Sequence, residues 1–563
     1  MKQFVAAGLV ILGLLAAAAP KAAAQGTVRR HLIYLRDKTG TPFSVAQPQA
    51  FLSARALARR QRQRIVVLPR DLPVNPAYVA QVRAVAGQPT VHYTSKWFNA
   101  LVVACDSPTL RRIQALPIVT AAQTLNRGPK PGTGRSWPAP APVAARTTTG
   151  TRADYGPPFT QNQVIGAVAM HDAGFRGEGM QIAVFDAGFP GVDRIPALQP
   201  LFAQNRLLGT RNFVDGGRSV YLRDSHGTNC LGLIGAEQAG FYIGTAPRAA
   251  FHLCITEDVN SEHPIEEANW LAAAEYADSA GVDIISSSLG YTTFDAPSVD
   301  YTYADMNGRT ALSTRAAAVA ARVGMLVLVA NGNEGRSAWH YLSAPADADS
   351  IISVGAVDSS RIKAGFSSFG PSADGRIKPT LSAQGVACAV LTPGGTRVRG
   401  NGTSYACPEL AGMAAGLWQA NPRLTAQQII LALRSTASQA NNPDNNLGYG
   451  IPNFSAANIF AQAITLNTAQ AQAAAADELT LFPNPTSDGQ FLLRLPRVLQ
   501  LPGNLLEVTI LDARGAVVRR LRPATATSAT GEVAVVTGQL APGTYLCQVS
   551  AGDITRTVQF VQQ

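Results

Sequence analysis

The sequence predicts an α/β catalytic domain on a doubly wound parallel sheet, preceded by a small α+β segment and followed by a small all-β sandwich. Three observations carry this. Apolar runs at 181–185, 250–255, 282–287, 325–329 and 351–357 alternate with helical patterns at 229–236, 265–280 and 309–323, as parallel strands covered on both faces do. Ahead of them, 25–125 mixes strand patterns at 30–35 and 97–103 with helical ones at 50–64, 75–85 and 108–116. Behind them, short runs at 479–482, 491–495, 506–511, 516–521, 532–536, 544–549 and 555–561 are separated by turn residues.

Composition and charge narrow the function. The chain has 563 residues, enough for several domains, and its 15% charged and 46% hydrophobic content is globular. Residues 25–154 carry nineteen Lys/Arg against four Asp/Glu, whereas 155–563 carry twenty-six against thirty-two. The larger part is therefore acidic, and no nucleic-acid partner is expected. The same contrast predicts that the basic segment docks on the acidic remainder and that salt weakens the contact.

The elements follow in order. Lys2, the apolar run 4–19 and Ala22-Ala23-Ala24 read as a secretory signal peptide over 1–24, and no later stretch is apolar enough to span a bilayer. The basic α+β segment occupies 25–126. Residues 127–154, rich in Pro, Gly, Thr and Ala, read as a linker and processing region. The α/β domain covers 155–466, an alanine/glutamine linker 467–476, and the sandwich 477–563. Six cysteines show no paired spacing, so neither a zinc site nor a disulfide framework is indicated.

Chemistry concentrates at strand ends and helix starts. Asp186 ends an apolar strand, as do Ser288 and Asn333, and in parallel sheets working residues lie at that edge. His226 stands before the helix at 229–236. Ser404 sits in Gly402-Thr403-Ser404-Tyr405-Ala406-Cys407-Pro408, before a helix expected over 407–420, with Pro408 in its first turn. Leu410, Met413, Ala414 and Leu417 recur at helical spacing, so one face of that helix is expected to be buried. A serine hydroxyl needs a base to take its proton, imidazole suits that task near neutrality, and a buried carboxylate fixes the imidazole tautomer. Singly, each residue reads as a cap or a turn; in the order Asp186, His226, Ser404 they form a catalytic set.

These blocks resemble the subtilisin-like serine peptidases. The resemblance rests on Ile182-Ala183-Val184-Phe185-Asp186-Ala187-Gly188, Ser225-His226-Gly227-Thr228, Ala330-Asn331-Gly332-Asn333-Glu334-Gly335 and the Ser404 block, and spans about 155–460. It implies a Ser404 nucleophile, a His226 base, an orienting Asp186, and an oxyanion held by Asn333 with the Ser404 N–H. It also implies that Ser288, Leu289 and Gly290 pair with substrate backbone. Protein or peptide substrates are implied, and residues 25–126 become a propeptide that inhibits the enzyme until cleaved. The chain departs from the pattern at Asn229, where many members have histidine, and at Tyr405, where they have methionine. Cys230 resembles the free thiol of the proteinase K branch, which favours buried thiols over a Cys230–Cys407 disulfide. The chemistry requires no cofactor. Many subtilases bind calcium, but the acidic stretch Glu257, Asp258 and Glu262 matches no binding loop and is expected to be a solvated loop.

Phe482-Pro483-Asn484-Pro485-Thr486 and Leu540-Ala541-Pro542-Gly543-Thr544-Tyr545 resemble the C-terminal sorting domain of the type IX secretion system of Bacteroidetes. The expected protein is thus a secreted or surface-displayed monomeric endopeptidase made as a zymogen, with the secretion machinery as a partner. The rival reading is a catalytically silent, surface-displayed binding protein on the same fold.

Overall fold

The computed structural model describes residues 27–125, 141–142 and 154–563, apart from 477, 488, 497–498, 500–505, 524–531 and 553. The expected signal peptide and nearly all of the expected linker lie outside the described residues. The chain forms two units, Met1–Ala461 and Gln462–Gln563. Among the described residues, no helix is long and apolar enough to cross a membrane.

The first unit opens with β1 (Arg29–Leu35), α1 (Ala54–Arg62), α2 (Pro76–Arg83), β2 (Thr90–Ser95), β3 (Ala100–Cys105), α3 (Ser107–Gln114) and β4 (Val119–Thr124). Ser53, Asn75 and Asp106 cap the three helices by accepting from backbone N–H groups of their first turns. The strands form an antiparallel sheet in the order β2-β3-β1-β4. Strands β2 and β4 escape a search for apolar runs because most of their side chains are not buried. Side chains alternate across the sheet. Ile33, Leu101 and Val103 face α2 and α3 with Tyr78, Val82 and Ile113. Leu32, Ala100 and Val102 enter the main core of the unit.

A short strand β5 (Ala141–Pro142) precedes the helices α4 (Phe159–Val164) and α5 (Ala167–Asp172). Then follow β6 (Gln181–Asp186), α6 (Gln199–Ala203), β7 (Leu207–Asn212), α7 (His226–Gly235), β8 (Glu237–Gln238), β9 (Tyr242–Ile243), β10 (Ala250–Ile255), α8 (Ile265–Ala280) and β11 (Ile284–Ser287). The run continues with α9 (Leu312–Arg322), β12 (Leu326–Ala330), β13 (Ile352–Val357) and β14 (Leu381–Gln384). Seven strands make one parallel sheet, β14-β13-β12-β11-β6-β10-β7. A hairpin of β15 (Cys388–Leu391) and β16 (Arg397–Gly400), to which β5 adds, leads into α10 (Thr403–Ala420), followed by α11 (Ala426–Ser435) and α12 (Phe454–Ala476).

Several expectations change here. Helix α10 starts four residues earlier than expected and is buried on every side from Thr403 to Trp418, not along one face. Pro408 therefore lies inside it. Helix α7 begins at His226 itself. The alanine/glutamine stretch is helical within α12, since alanine is the strongest helix former. The basic segment does meet acidic groups, but through specific buried bonds. The Ser95 hydroxyl and the N–H groups of Lys96 and Trp97 donate to the Glu275 carboxylate of α8 at 2.6, 2.8 and 3.0 Å. Buried pairs are screened far less than exposed ones, so salt weakens this contact less than the charge count implies.

The second unit is a two-sheet sandwich: β17 (Thr480–Phe482), β18 (Gln490–Arg494) and β21 (Glu532–Val536) against β19 (Leu506–Leu511), β20 (Val517–Leu521), β22 (Gly543–Ala551) and β23 (Ile554–Gln562). Alternate residues such as Phe491, Leu493, Val508, Ile510, Cys547 and Val549 close its own core.

Helix α10 also buries a carboxyl group that its apolar pattern hid. Glu409 is fully buried, neither carboxyl oxygen is hydrogen-bonded to a backbone or charged donor, and burial pushes its pKa well above the usual range. A carboxyl group raised in the fold stabilises most below its unfolded value and costs stability as pH rises through the folded one. In a Ser404→Ala background, Glu409→Gln should melt well above the parent at pH 8, with the gap closing near pH 4. Scanning calorimetry across that range checks this, and a gap independent of pH would mean the carboxyl is ionised in the fold.

Candidate active site

The carboxyl edge of the parallel sheet gathers the predicted residues. Asp186 ends β6, fully buried, and its Oδ1 accepts from the Ala187 N–H at 2.8 Å and from His226 Nδ1 at 2.8 Å. His226 opens α7, with its own N–H donated to Asp224 Oδ1 at 2.7 Å. The approach of α7 to the strand end demands glycine next. A Cβ on Gly227 would lie 2.3 Å from the Gly188 carbonyl and 2.9 Å from Asp186 Cβ. One turn further, Cys230 places its sulfur 3.8 Å from His226 Nδ1.

Ser404 is the second residue of α10 and is nearly buried. Its hydroxyl points to the Ser288 carbonyl at 3.4 Å. Its own carbonyl would ordinarily accept from the N–H four residues on, but Pro408 has none. That oxygen accepts instead from the Ser288 hydroxyl at 2.8 Å and the Cys230 thiol at 3.4 Å. Burial and the nearby Asp186 push the Cys230 thiol well up, so it remains a neutral donor. All six cysteines are free and buried, which settles the pairing in favour of thiols.

Asn333 follows β12 in an exposed turn. Its Oδ1 accepts from the Thr403 N–H at 2.9 Å and lies 3.1 Å from the Thr403 hydroxyl. Anchored by its oxygen, the side chain has its NH2 group left for other partners. Leu289 and Gly290 continue from Ser288 as buried residues, and Tyr291 exchanges backbone bonds with Ala344 at 2.8 and 3.2 Å.

The two departures from the family pattern have structural counterparts. Tyr405 lays its ring on His226, with centroids 5.9 Å apart and planes inclined by 30°. Asn229 donates to the Leu391 carbonyl at 2.6 Å, tying α7 to β15. The acidic stretch is not a solvated loop: Glu257 is buried and accepts from Tyr291 Oη at 2.6 Å and Thr256 Oγ1 at 2.9 Å, while Asp258 pairs with Arg223 at 3.0 Å. Sequence reading missed the supporting roles of Thr403, which lies inside the Ser404 block, and of Asp224, which immediately precedes the His226 block.

Comparison with known proteins bears on three stretches of the chain. The model of the subtilase family matches residues 177–450, that of a Bacteroidota peptidase S8 propeptide domain matches 30–135, and that of a secretion system C-terminal sorting domain matches 480–563. Subtilisin NAT of Bacillus subtilis subsp. natto is 33% identical over 297 residues, covering 52% of this chain and 69% of that protein. The subtilisin of Bacillus pumilus is 33% identical over 278 residues, 49% of this chain and 89% of its own. Subtilisin BL of Lederbergia lenta is 30% identical over 292 residues, 52% and 95% respectively. With that coverage, and with a buried acid–imidazole pair beside a serine that opens a helix, the chain belongs to the subtilase family and is a serine endopeptidase.

Proposed function

We propose that this protein hydrolyses peptide bonds through an acyl-enzyme on Ser404, with His226 as base and Asp186 as its orienting acid. The observation that carries this reading is the 2.8 Å bond from His226 Nδ1 to a fully buried carboxylate. A proton held on Nδ1 leaves Nε2 as the basic nitrogen. His226 takes the Ser404 proton as Oγ attacks the substrate carbonyl, and returns it to the departing amine. Water then repeats the sequence on the acyl-enzyme. The negative oxygen of each tetrahedral intermediate is met by the Asn333 NH2 and the Ser404 N–H, both held before reaction begins. Ser288, Leu289 and Gly290 supply backbone for an extended substrate. The protein's own side-chain and backbone groups, with water, carry every step, and no cofactor is required for the chemistry.

The propeptide match and the docked basic segment support synthesis as a zymogen that cleaves itself within 127–154, and the tail supports type IX export to the medium or cell surface. A fluorophosphonate probe should label Ser404 covalently, and a Ser404→Ala chain should stay joined to residues 25–126 in the absence of other peptidases. Mass spectrometry reads both; labelling elsewhere removes Ser404 as nucleophile, and normal processing of the alanine variant removes self-cleavage.

Asn333→Ala should lower kcat roughly a hundred- to a thousand-fold with little change in KM, the loss known for removing such a donor in the subtilisin family. A change confined to KM would make Asn333 a substrate-positioning residue. A chain ending at Gln470 should keep full turnover as purified enzyme yet accumulate in the periplasm of the native host. Fractionation and activity assays decide this, and export of the shortened chain would overturn the sorting role.

A further inference from the structure

Helix α1 carries Arg55, Arg59, Arg60 and Arg62, and its destination is not the active site. It meets the C-terminal end of α8, whose last carbonyls lack helical donors and hold partial negative charge. The Ser53 N–H and hydroxyl donate to the Ser279 and Ala280 carbonyls, each at 3.0 Å, and Arg55 Nε to the Gly281 carbonyl at 3.1 Å. Arg59 donates to Asp278 at 2.6 Å and to the Val282 carbonyl, Arg60 to Asp278 at 3.0 Å, and Arg55 pairs with Asp283. Lys96 completes the set around Asp278 at 2.9 Å. Burial disfavours the Asp278 charge, but these three cations outweigh it and hold the carboxyl at about 2. Beyond the helix, Gln63 donates to the Gly324 carbonyl after α9 at 2.7 Å and accepts from Ala426 at 3.0 Å.

Among the described residues, the cations paired with Asp278 all come from the pro-segment, so its removal takes these charge partners with it. The position of this socket is equally telling. Asp283 accepts from the first N–H of β6, and Gly281 and Gly324 stand just before β11 and β12. The socket therefore borders the amino edge of the sheet, whereas Asp186 and Ser288 border its carboxyl edge. A six-residue strand separates the edges by roughly 20 Å.

We propose that this socket, formed by Asp278, Asp283 and the terminal carbonyls of α8, is an exosite on the processed enzyme that binds helix α1 of a second copy in trans, without blocking the active site. The reasoning rests on the reading that the pro-segment is cut away and leaves. Two adjacent arginines about two turns after a serine cap, followed by glutamine, define the ligand. Planar guanidinium groups reach both a carboxylate and carbonyls in one geometry, which lysine does not match.

The test separates this site from the catalytic assignment. A recognition sequence for an unrelated endopeptidase is inserted between Gly132 and Thr133, and Arg59→Ala with Arg60→Ala lets the cut pro-segment leave. A fluorescent peptide of residues 50–66 is then titrated by anisotropy into this enzyme and its Ser404→Ala form, so binding is read whether or not Ser404 is the nucleophile. Saturable one-to-one binding is expected, weakened about a hundred-fold when the peptide carries both alanines, and turnover of a small chromogenic peptide should not change. If the substituted chain fails to fold, the parent chain cut at the same site serves: excess parent peptide should strip hydrogen-exchange protection from 54–62, and the alanine peptide should not. Absence of binding or displacement, equal effect of the alanine peptide, or competition with the chromogenic substrate would overturn the exosite.

Discussion

The hydrogen bond between Asp186 and His226 constrains much of the catalytic domain. For a carboxylate to sit fully buried at 2.8 Å from an imidazole, β6 must end where α7 begins, and the two chains must touch through Gly227. That contact fixes α7 over the sheet edge. Tyr405 then rests on the imidazole, and Asn229 ties α7 to β15. The parallel sheet supplies what no single helix could: adjacent strands that all end on one side, so that residues far apart in sequence converge.

Much of this was legible from residue patterns. The apolar strands of the sheet, the aspartate, histidine and serine blocks and the asparagine turn stood out because each breaks from its surroundings in pattern. The parts that were hidden have separate physical causes. Strand β14 and the hairpin β15–β16 are too short for a periodic signal, and β2 and β4 leave most side chains partly or fully exposed. The start of α10 was misplaced because a proline is compatible with a first turn, and only the surrounding structure shows that the chain is already helical at Thr403. Glu257 was expected in a solvated loop and Glu409 drew no reading, because sequence cannot report which side of a loop or helix meets the core.

The charge contrast along the chain was read correctly in direction and wrongly in kind. A surplus of arginine suggested a diffuse attraction, whereas the structure spends those arginines on named acceptors. Arg59 and Asp278 are both wholly buried; the surrounding cations outweigh the desolvation of Asp278, whereas burial still pulls the Arg59 guanidinium below its usual value. Such a contact is selective: a lost partner leaves the others stranded, so recognition is sharper than net charge would give.

Pro408 has an effect beyond its own backbone. Because it withholds an N–H, the Ser404 carbonyl is held by a hydroxyl from the end of β11, and the first turn of α10 is indexed to the sheet more than to its own helix. Ordinary fraying at a helix start would move a nucleophile relative to its surroundings. Here the fastening runs sideways, across to Ser288, so the start of α10 is tied to the segment that follows β11. Opening that first turn therefore has to break a bond to a neighbouring strand end as well as bonds within α10.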